Sequence, residues 1–390
     1  MLTALGGLLR MSNLKYCTKC GIKIIKDGKY CCNCGKLIIF NNSNQQEKII
    51  ETEVQNTAAI IKRLISVFVI LLLVITFLFF AFIGGKKVLA DKYYKKAEQE
   101  NDYYKKIDFL EKAVNYYKKD DYYIGAANAY AFLAKDVGMN GRNQSVFEDY
   151  INHATEYGRQ AIAISPDKPS VYEAVALIYE NVYLDFNVNG ALEQAEKYYN
   201  KSIELNSKNP YPHLRIGHIN MARADAETNE ERKKYFIEEA INKYNEAILL
   251  NSNMDEAVYD KGIALEKLDR IDDAIEQLKQ AILIARDNLN YRFDLGRLYF
   301  NRGVAQASLL GKNDDVAMAE QIFLSILQIN PNHENTLYSL ALLYQKIGET
   351  DNAKIVINQL LKQLENESTE ETSRSKAVKE IIKKQFPELY

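Results

Sequence analysis

The 390-residue chain predicts a mainly α fold: an α-solenoid of about seven helix pairs, preceded by a small cysteine-rich module and one transmembrane helix. Three observations carry that expectation. Alanines recur with a large side chain four positions later, at intervals of 34 or 45 residues. All five cysteines crowd between positions 17 and 34, and one uncharged run of 22 residues separates that cluster from the rest.

Composition sets the outer limits. With 26% charged and 47% hydrophobic residues, the bulk of the chain can bury a core. The net charge of −2 hides a division: residues 1–87 carry 12 Lys and Arg against 4 Asp and Glu, whereas 88–390 carry 38 against 48. A duplex-binding domain needs a cationic surplus to neutralise phosphates, so nucleic acid is disfavoured as a ligand of the acidic body.

The cysteine-rich head reads "CTKCGIKIIKDGKYCCNCGK" and sets Cys17 with Cys20, and Cys31 with Cys34, as two C-x-x-C-G knuckles ten residues apart. Each knuckle brings two thiolates toward one metal, and the following Gly21 or Gly35 permits the tight turn that aims backbone N–H groups at sulfur. Four thiolates close a tetrahedral site, so Cys17, Cys20, Cys31 and Cys34 are the expected ligands of a structural Zn²⁺. About 30 residues with few large apolar side chains cannot stabilise themselves, and the metal would supply the folding energy. A pair of disulfides in an oxidising compartment, or a rubredoxin-like iron centre, are the alternatives; the iron centres usually space their knuckles further apart. Cys32 is expected to be a spectator. The segment 15–37 resembles the short zinc-ribbon heads at the N-terminus of many bacterial membrane proteins, which implies a structural module over 11–40. "MSNLKYC" from Met11 is how such heads begin, so residues 1–10 read as a start-site artefact.

A polar linker is expected over 41–63. After it, residues 64–85, "LISVFVILLLVITFLFFAFIGG", lie between Lys62-Arg63 and Lys86-Lys87. At 1.5 Å per residue the run is roughly 33 Å long, enough to cross a hydrocarbon core. Lys48, Lys62 and Arg63 flank its N-terminal side and Lys86, Lys87, Lys92, Lys95 and Lys96 its C-terminal side, a count that by itself favours a cytoplasmic body. Zinc thiolates persist in a reducing compartment and the Cys-free body suits an oxidising one. The expected arrangement is therefore a single-pass protein with its head cytoplasmic and its body extracytoplasmic.

Downstream, Ala195 with Tyr199, Ala240 with Tyr244, Ala274 with Leu278, Ala319 with Phe323 and Ala353 with Ile357 repeat one signature. A second precedes it: Ala127 with Tyr130, Ala176 with Tyr179, Gly296 with Tyr299 and Ala341 with Tyr344, most fully in "LGRLY" at 295–299, while "SPDKP", "NSKNP" and "NPNH" punctuate repeat ends. Together these resemble the tetratricopeptide repeat, whose helix pair places small residues where helices cross and large ones between. The chain departs from that pattern in having no Trp, in Lys261 where Leu is usual, and in Gly158 and Ile357 where an aromatic is usual. The resemblance implies a right-handed superhelix with a concave groove, over 88–366, with pairs at 88–119, 121–166, 171–209, 211–253, 255–287, 289–331 and 333–366. The insertions "ARADAETNEERKKYF" and "NRGVAQASLLGKNDD" fall between helices of one repeat and should lengthen them or form loops. Residues 367–390 are expected to end in a capping helix that buries Ala377, Ile381, Ile382 and Phe386.

The body opens on "YYKKAEQENDYYKKIDFLEKAVNYYKK", 93–119. Tyr93-Tyr94, Tyr103-Tyr104 and Tyr116-Tyr117 fall on the first helix pair, and each doublet can turn one ring inward and one outward. A membrane-surface role stays open, because tyrosines and lysines directly follow the apolar run.

No phosphate-binding loop, dinucleotide fingerprint, nucleophile elbow or zincin motif occurs, and His153, His213, His218 and His333 are scattered, so no enzymatic activity is expected. What remains is a membrane-anchored scaffold that gathers protein partners, for instance in assembling an envelope or secretion machine. The alternatives are a regulatory or sensory protein whose lysine-rich head contacts nucleic acid or a cytoplasmic complex, and an accessory subunit of an envelope enzyme. In the family resembled, the position after the first large anchor of each leading helix faces the concave side. Tyr259, Phe293 and Tyr338 stand there, and with Arg297 and Phe300 they form the expected partner-binding stripe. The Lys and Asn set that clamps a C-terminal carboxylate in some arrays is incomplete, since Ile124 stands where the Lys belongs although Asn128 matches, so chaperone-tail capture is not expected.

Overall fold

The computed structural model describes residues 16–17, 19–23, 30–37, 43–139, 144–306, 313–366 and 373–387. Residues 1–10 lie outside them, as do Lys15, Lys26 and Lys29 of the head. The chain divides into two compact units, Met1–Gly85 and Lys86–Tyr390.

In the first unit, antiparallel bridges pair Tyr16 with Lys23 and Tyr30 with Leu37, one across each cysteine knuckle. The long helix α1 spans Ser43–Gln99. No proline or glycine interrupts positions 43–83, so the stretch 43–63, polar though it is, is helical as well. Every side chain from position 64 to 83 is exposed.

The second unit is an α-solenoid. The end of α1 with α2 (Tyr103–Tyr116) forms the first pair, followed by α3 (Asp120–Met139) with α4 (Gln144–Ile164), and α5 (Pro169–Phe186) with α6 (Ala191–Leu205). Next come α7 (Tyr211–Ala226) with α8 (Glu230–Leu250), α9 (Asp255–Lys267) with α10 (Ile271–Ile284), α11 (Leu289–Gln306) with α12 (Asp314–Ile329), and α13 (Glu334–Lys346) with α14 (Thr350–Asn366). Seven pairs result. The first insertion extends α7 and α8 to 16 and 21 residues, against 13 and 14 for α9 and α10. Part of the second, 307–312, lies outside the described residues.

Local chemistry starts these helices. Asp102 accepts from the amides of Tyr104 and Lys105 at 3.0 and 3.3 Å, Asn229 from Arg232 and Asn313 from Val316, each satisfying an amide that has no partner within its own helix. Pro169 opens α5, where a missing N–H costs nothing.

Between paired helices the packing is large into small. The ring of Tyr244 on α8 lies so close to Gly217 on α7 that a Cβ there would meet its Cε1 at 2.3 Å, and Phe323 on α12 meets Gly296 on α11 in the same way at 2.7 Å. Tyr199 and Ala176 share one buried cluster. One continuous core then runs from Leu214 to Phe386, and every array cluster lies between residues 90 and 386, so the array holds its own core.

The last helix, α15 (Ser373–Gln385), and the residue after it cover the end of the array with two of the four residues expected to do so. Ile382 and Phe386 are fully buried and Val378 packs beside them, whereas Ala377 and Ile381 are exposed. The spacing 378, 382, 386 keeps i, i+4 neighbours on one stripe, which 377 and 381 cannot share.

Candidate functional site

Two places carry chemistry. At the head, Cys17 Sγ lies 3.5 Å from Cys34 Sγ and Cys20 Sγ lies 3.6 Å from Cys31 Sγ, with all four sulfurs within 4.8 Å of one another. These separations are far too long for disulfides and suit the edges of a tetrahedron with metal–sulfur bonds of about 2.3 Å. The two knuckles are built alike: Cys17 N–H donates to Ile22 O and Gly21 N–H to Cys17 O, as Cys31 N–H does to Lys36 O and Gly35 N–H to Cys31 O. Gly21 and Gly35 both take φ of +70°, the left-handed conformation that the turn requires.

That backbone prepares thiolates. Amides of Lys19 and Cys20 bring Cys17 down to about 6, and those of Asn33 and Cys34 lower Cys31. The Lys36 amide also lowers Cys34, but burial and the three neighbouring sulfurs push it up to about 12. Four sulfurs this close cannot all ionise without a cation among them, so the donor set fits a divalent metal. Cys32 is exposed and stands outside the cluster.

The second place is the row of leading helices α5, α7, α9, α11 and α13. A hollow of about 690 Å³ opens between α5, α7, α8 and α9. Leu184, Met221 and Ile263 give it an apolar floor, and His218, Asp260 and an Asp225–Lys267 ion pair give it a charged rim. His218 Nε2 lies 2.7 Å from Asp260 Oδ2, and Glu256 completes a group whose donor atoms lie within 4.8 Å of one another.

The five sequence candidates sit further along, at seams between repeats. Tyr259 stacks on Tyr291 with centroids 4.3 Å apart and donates to Asp294 at 2.8 Å. Phe293 lies between Phe323 and His333, and Tyr338 meets Phe386 edge-on. Arg297 binds Glu266 through both guanidinium nitrogens at 2.5 and 2.7 Å and Asp294 at 3.1 Å, bonds that raise its pKa further. Phe300 packs partly buried against the same core. All five thus contact their own array, and the aromatic positions stay partly exposed.

A buried ion pair escaped the sequence reading. Glu180, 2% exposed, accepts from Arg215 at 2.7 and 3.1 Å and from the Tyr199 hydroxyl at 3.0 Å, tying α5, α6 and α7 together. Its signal was a carboxylate four residues after the buried Ala176, on an otherwise apolar stripe.

A tetratricopeptide repeat family model matches residues 189–209, 255–288 and 335–363. The chain is 26% identical over 228 residues to protein O-mannosyl-transferase TMTC3 of Homo sapiens, covering 56% of this chain and 22% of that protein. It is also 26% identical over 217 residues to TPR repeat-containing protein MJ1428 of Methanocaldococcus jannaschii, covering 56% and 34%. The matches thus span between about a fifth and a third of the length of these curated relatives. Among solved structures, YrrB, described as a TPR protein with an unusual peptide-binding site, aligns with a TM-score of 0.40 at 19% identity over 54% of this chain and 93% of its own. Yeast Tom70 aligns at 0.48 and 17% identity, over 77% of this chain and 55% of its own. The matched segments fall on α6, on α9 with α10, and on α13 with α14, where small residues receive large ones between paired helices; these three segments of the α-solenoid are tetratricopeptide repeats.

Proposed function

We propose that this chain is a membrane-anchored scaffold without catalytic activity, one that holds protein partners on the leading-helix face of its repeat array. The observation that carries the reading is the hollow shared by successive leading helices. Exposed apolar side chains such as Leu184 lie there beside fixed charges, the combination that grips a protein segment by burial and orients it by charge. In this reading the face continues along α9, α11 and α13, past Tyr259, Phe293, Arg297, Phe300 and Tyr338. Residues 64–85 cross the bilayer, supported by a length that spans it and by side chains that no described residue buries. Cys17, Cys20, Cys31 and Cys34 hold one structural Zn²⁺ that orders the head, and the head is cytoplasmic.

Recovery of partners from detergent-solubilised membranes tests the reading. Leu184→Glu alters an exposed side chain, so the array stays folded and partner recovery falls. Undiminished recovery refutes the site. Protease added to intact protoplasts digests the array and spares the head; protection of the array reverses the orientation.

A further inference from the structure

The first pair carries a surface unlike the rest of the array. Tyr93 stacks on Tyr116 with centroids 5.7 Å apart and planes 6° apart, and lies 6.4 Å from Phe109 at 28°. Two lysines sit over these rings: Lys96 Nζ lies 5.9 Å from the Tyr93 centroid and 5.6 Å from that of Phe109, and Lys112 Nζ lies 6.0 and 5.9 Å from the same two. Lys112 is also bonded to Asp108 at 2.6 Å. Tyr116 is 38% exposed, Tyr93 and Phe109 are half-buried, and both lysines are exposed. Tyr93 and Phe109 rest against the edge of the core without being buried in it, while Tyr94 packs on Tyr122 and Tyr117 is partly buried beside it.

Charge sets this pair apart as well. Residues 86–119 hold ten lysines against six Asp and Glu, while 120–390 hold 30 Lys and Arg against 42. A terminal repeat lacks a neighbour on one side and needs a cover. Ile382 and Phe386 supply one at the far end, whereas the first pair presents an aromatic stack crossed by cations. Its chain also begins at Lys86, directly after the apolar run.

We infer that Tyr93, Phe109 and Tyr116 with Lys96 and Lys112 form a docking face for an anionic phospholipid surface. The rings enter the headgroup layer, where amphipathic aromatic side chains partition favourably, and the ammonium groups meet lipid phosphates. The inference rests on the anchored reading for its tether, which keeps the face within reach of the bilayer. The acidic remainder of the array is repelled by the same surface, so docking orients the array.

The test uses residues 86–390, which hold the whole core of the array, with Tyr116→Trp. The chain contains no tryptophan, so position 116 becomes its sole indole reporter. Vesicles of phosphatidylcholine with phosphatidylglycerol shift its emission to the blue, and high salt reverses the shift. Lys96→Glu and Lys112→Glu each weaken partitioning at least about fivefold. Tyr235→Trp, at a position 57% exposed on α8, shows no shift. No shift at position 116, or an equal one at 235, overturns the inference, and a shift with inorganic phosphate alone overturns the lipid as its source. Carbonate extraction of the full chain separates the two readings: retention in membranes without a shift at 116 removes this inference and keeps the anchor, and release with the shift intact does the reverse.

Discussion

Gly217→Ala isolates the packing rule on which the array depends. The new Cβ would meet Tyr244 Cε1 at 2.3 Å, Cδ1 at 2.7 Å and Cζ at 2.9 Å, so the ring must retreat by about 1 Å to reach ordinary contact. That retreat displaces packed neighbours: Tyr244 is 1% exposed and shares one core with Leu214, Ile237 and Leu278, although it also lines the hollow between α5, α7, α8 and α9. Overpacking of this kind costs about 3 kcal/mol, and the better helix propensity of Ala offsets about 1 kcal/mol, leaving a net loss of about 2 kcal/mol. Gly262→Ala is the control. Its Cβ meets Gln277 and Leu278 at 3.3 Å, which a few tenths of an ångström relieve, so stability should stay within about 0.5 kcal/mol of the parent. Thermal unfolding of residues 86–390, followed by circular dichroism, should show a midpoint about 3 °C lower for Gly217→Ala and nearly unchanged for Gly262→Ala. Combining Gly217→Ala with Tyr244→Leu should recover about 1 kcal/mol relative to the sum of the two single losses, because the smaller side chain leaves room for the methyl. A midpoint for Gly217→Ala within 1 °C (on the order of the measurement error), or equal losses at both glycines, would refute the reasoning.

In the four-cysteine head proposed to hold zinc, Cys20→Ser or Cys34→Ser should abolish metal retention and Cys32→Ser should leave it at one ion per chain, as read by elemental analysis of the purified full chain. Asp120 accepts from Lys168 at 2.8 Å; burial by itself would raise its pKa, and the lysine, with the Asp121 amide and Ser165, holds it below the ordinary 3.8. Its stabilising contribution is therefore present above pH 3.8 and lost as pH falls through the folded-state value, so Lys168→Met should move the acid limb of unfolding to higher pH; superimposable limbs would contradict this. Burial, then Arg270, lowers the pKa of Lys261, so Lys261→Leu should stabilise the array by about 1 kcal/mol at pH 7, with the gain narrowing as the parent lysine loses its proton toward pH 10.5. Tyr259→Ala should cost about 2 kcal/mol through the lost Tyr291 stack and Tyr259→Phe about 1 kcal/mol through the lost bond to Asp294, whereas unchanged stability with lost partner recovery would assign the ring to a partner instead.

By itself the sequence determined what rests on local spacing. Two C-x-x-C-G words place four sulfurs by turn geometry within a few residues, and the uncharged run is legible as a long apolar helix from its composition. The helix pairs follow from small and large residues at helical intervals, such as Ala176 and Gly296, which receive Tyr199 and Phe323 from the helix opposite, whereas Gly217 was found only in the folded array. Even the tyrosine doublets were legible, because adjacent residues on a helix point about 100° apart and one ring of each must leave the core. Tertiary structure decided whatever joins residues far apart in the chain. His213 and His218 have no carboxylate near them in sequence, yet Glu246 and Asp260 each come to 2.7 Å from other helices. Glu180 and Arg215 pair across 35 positions, and Arg297 finds Glu266 on the preceding leading helix. The terminal helix shows the same limit: its existence was readable, but whether 377 and 381 or 378 and 382 faced inward depended on the angle at which α15 meets α13 and α14, which its own sequence does not encode. Helical periodicity fixes which residues share a face, and only packing against a neighbour fixes which face is buried.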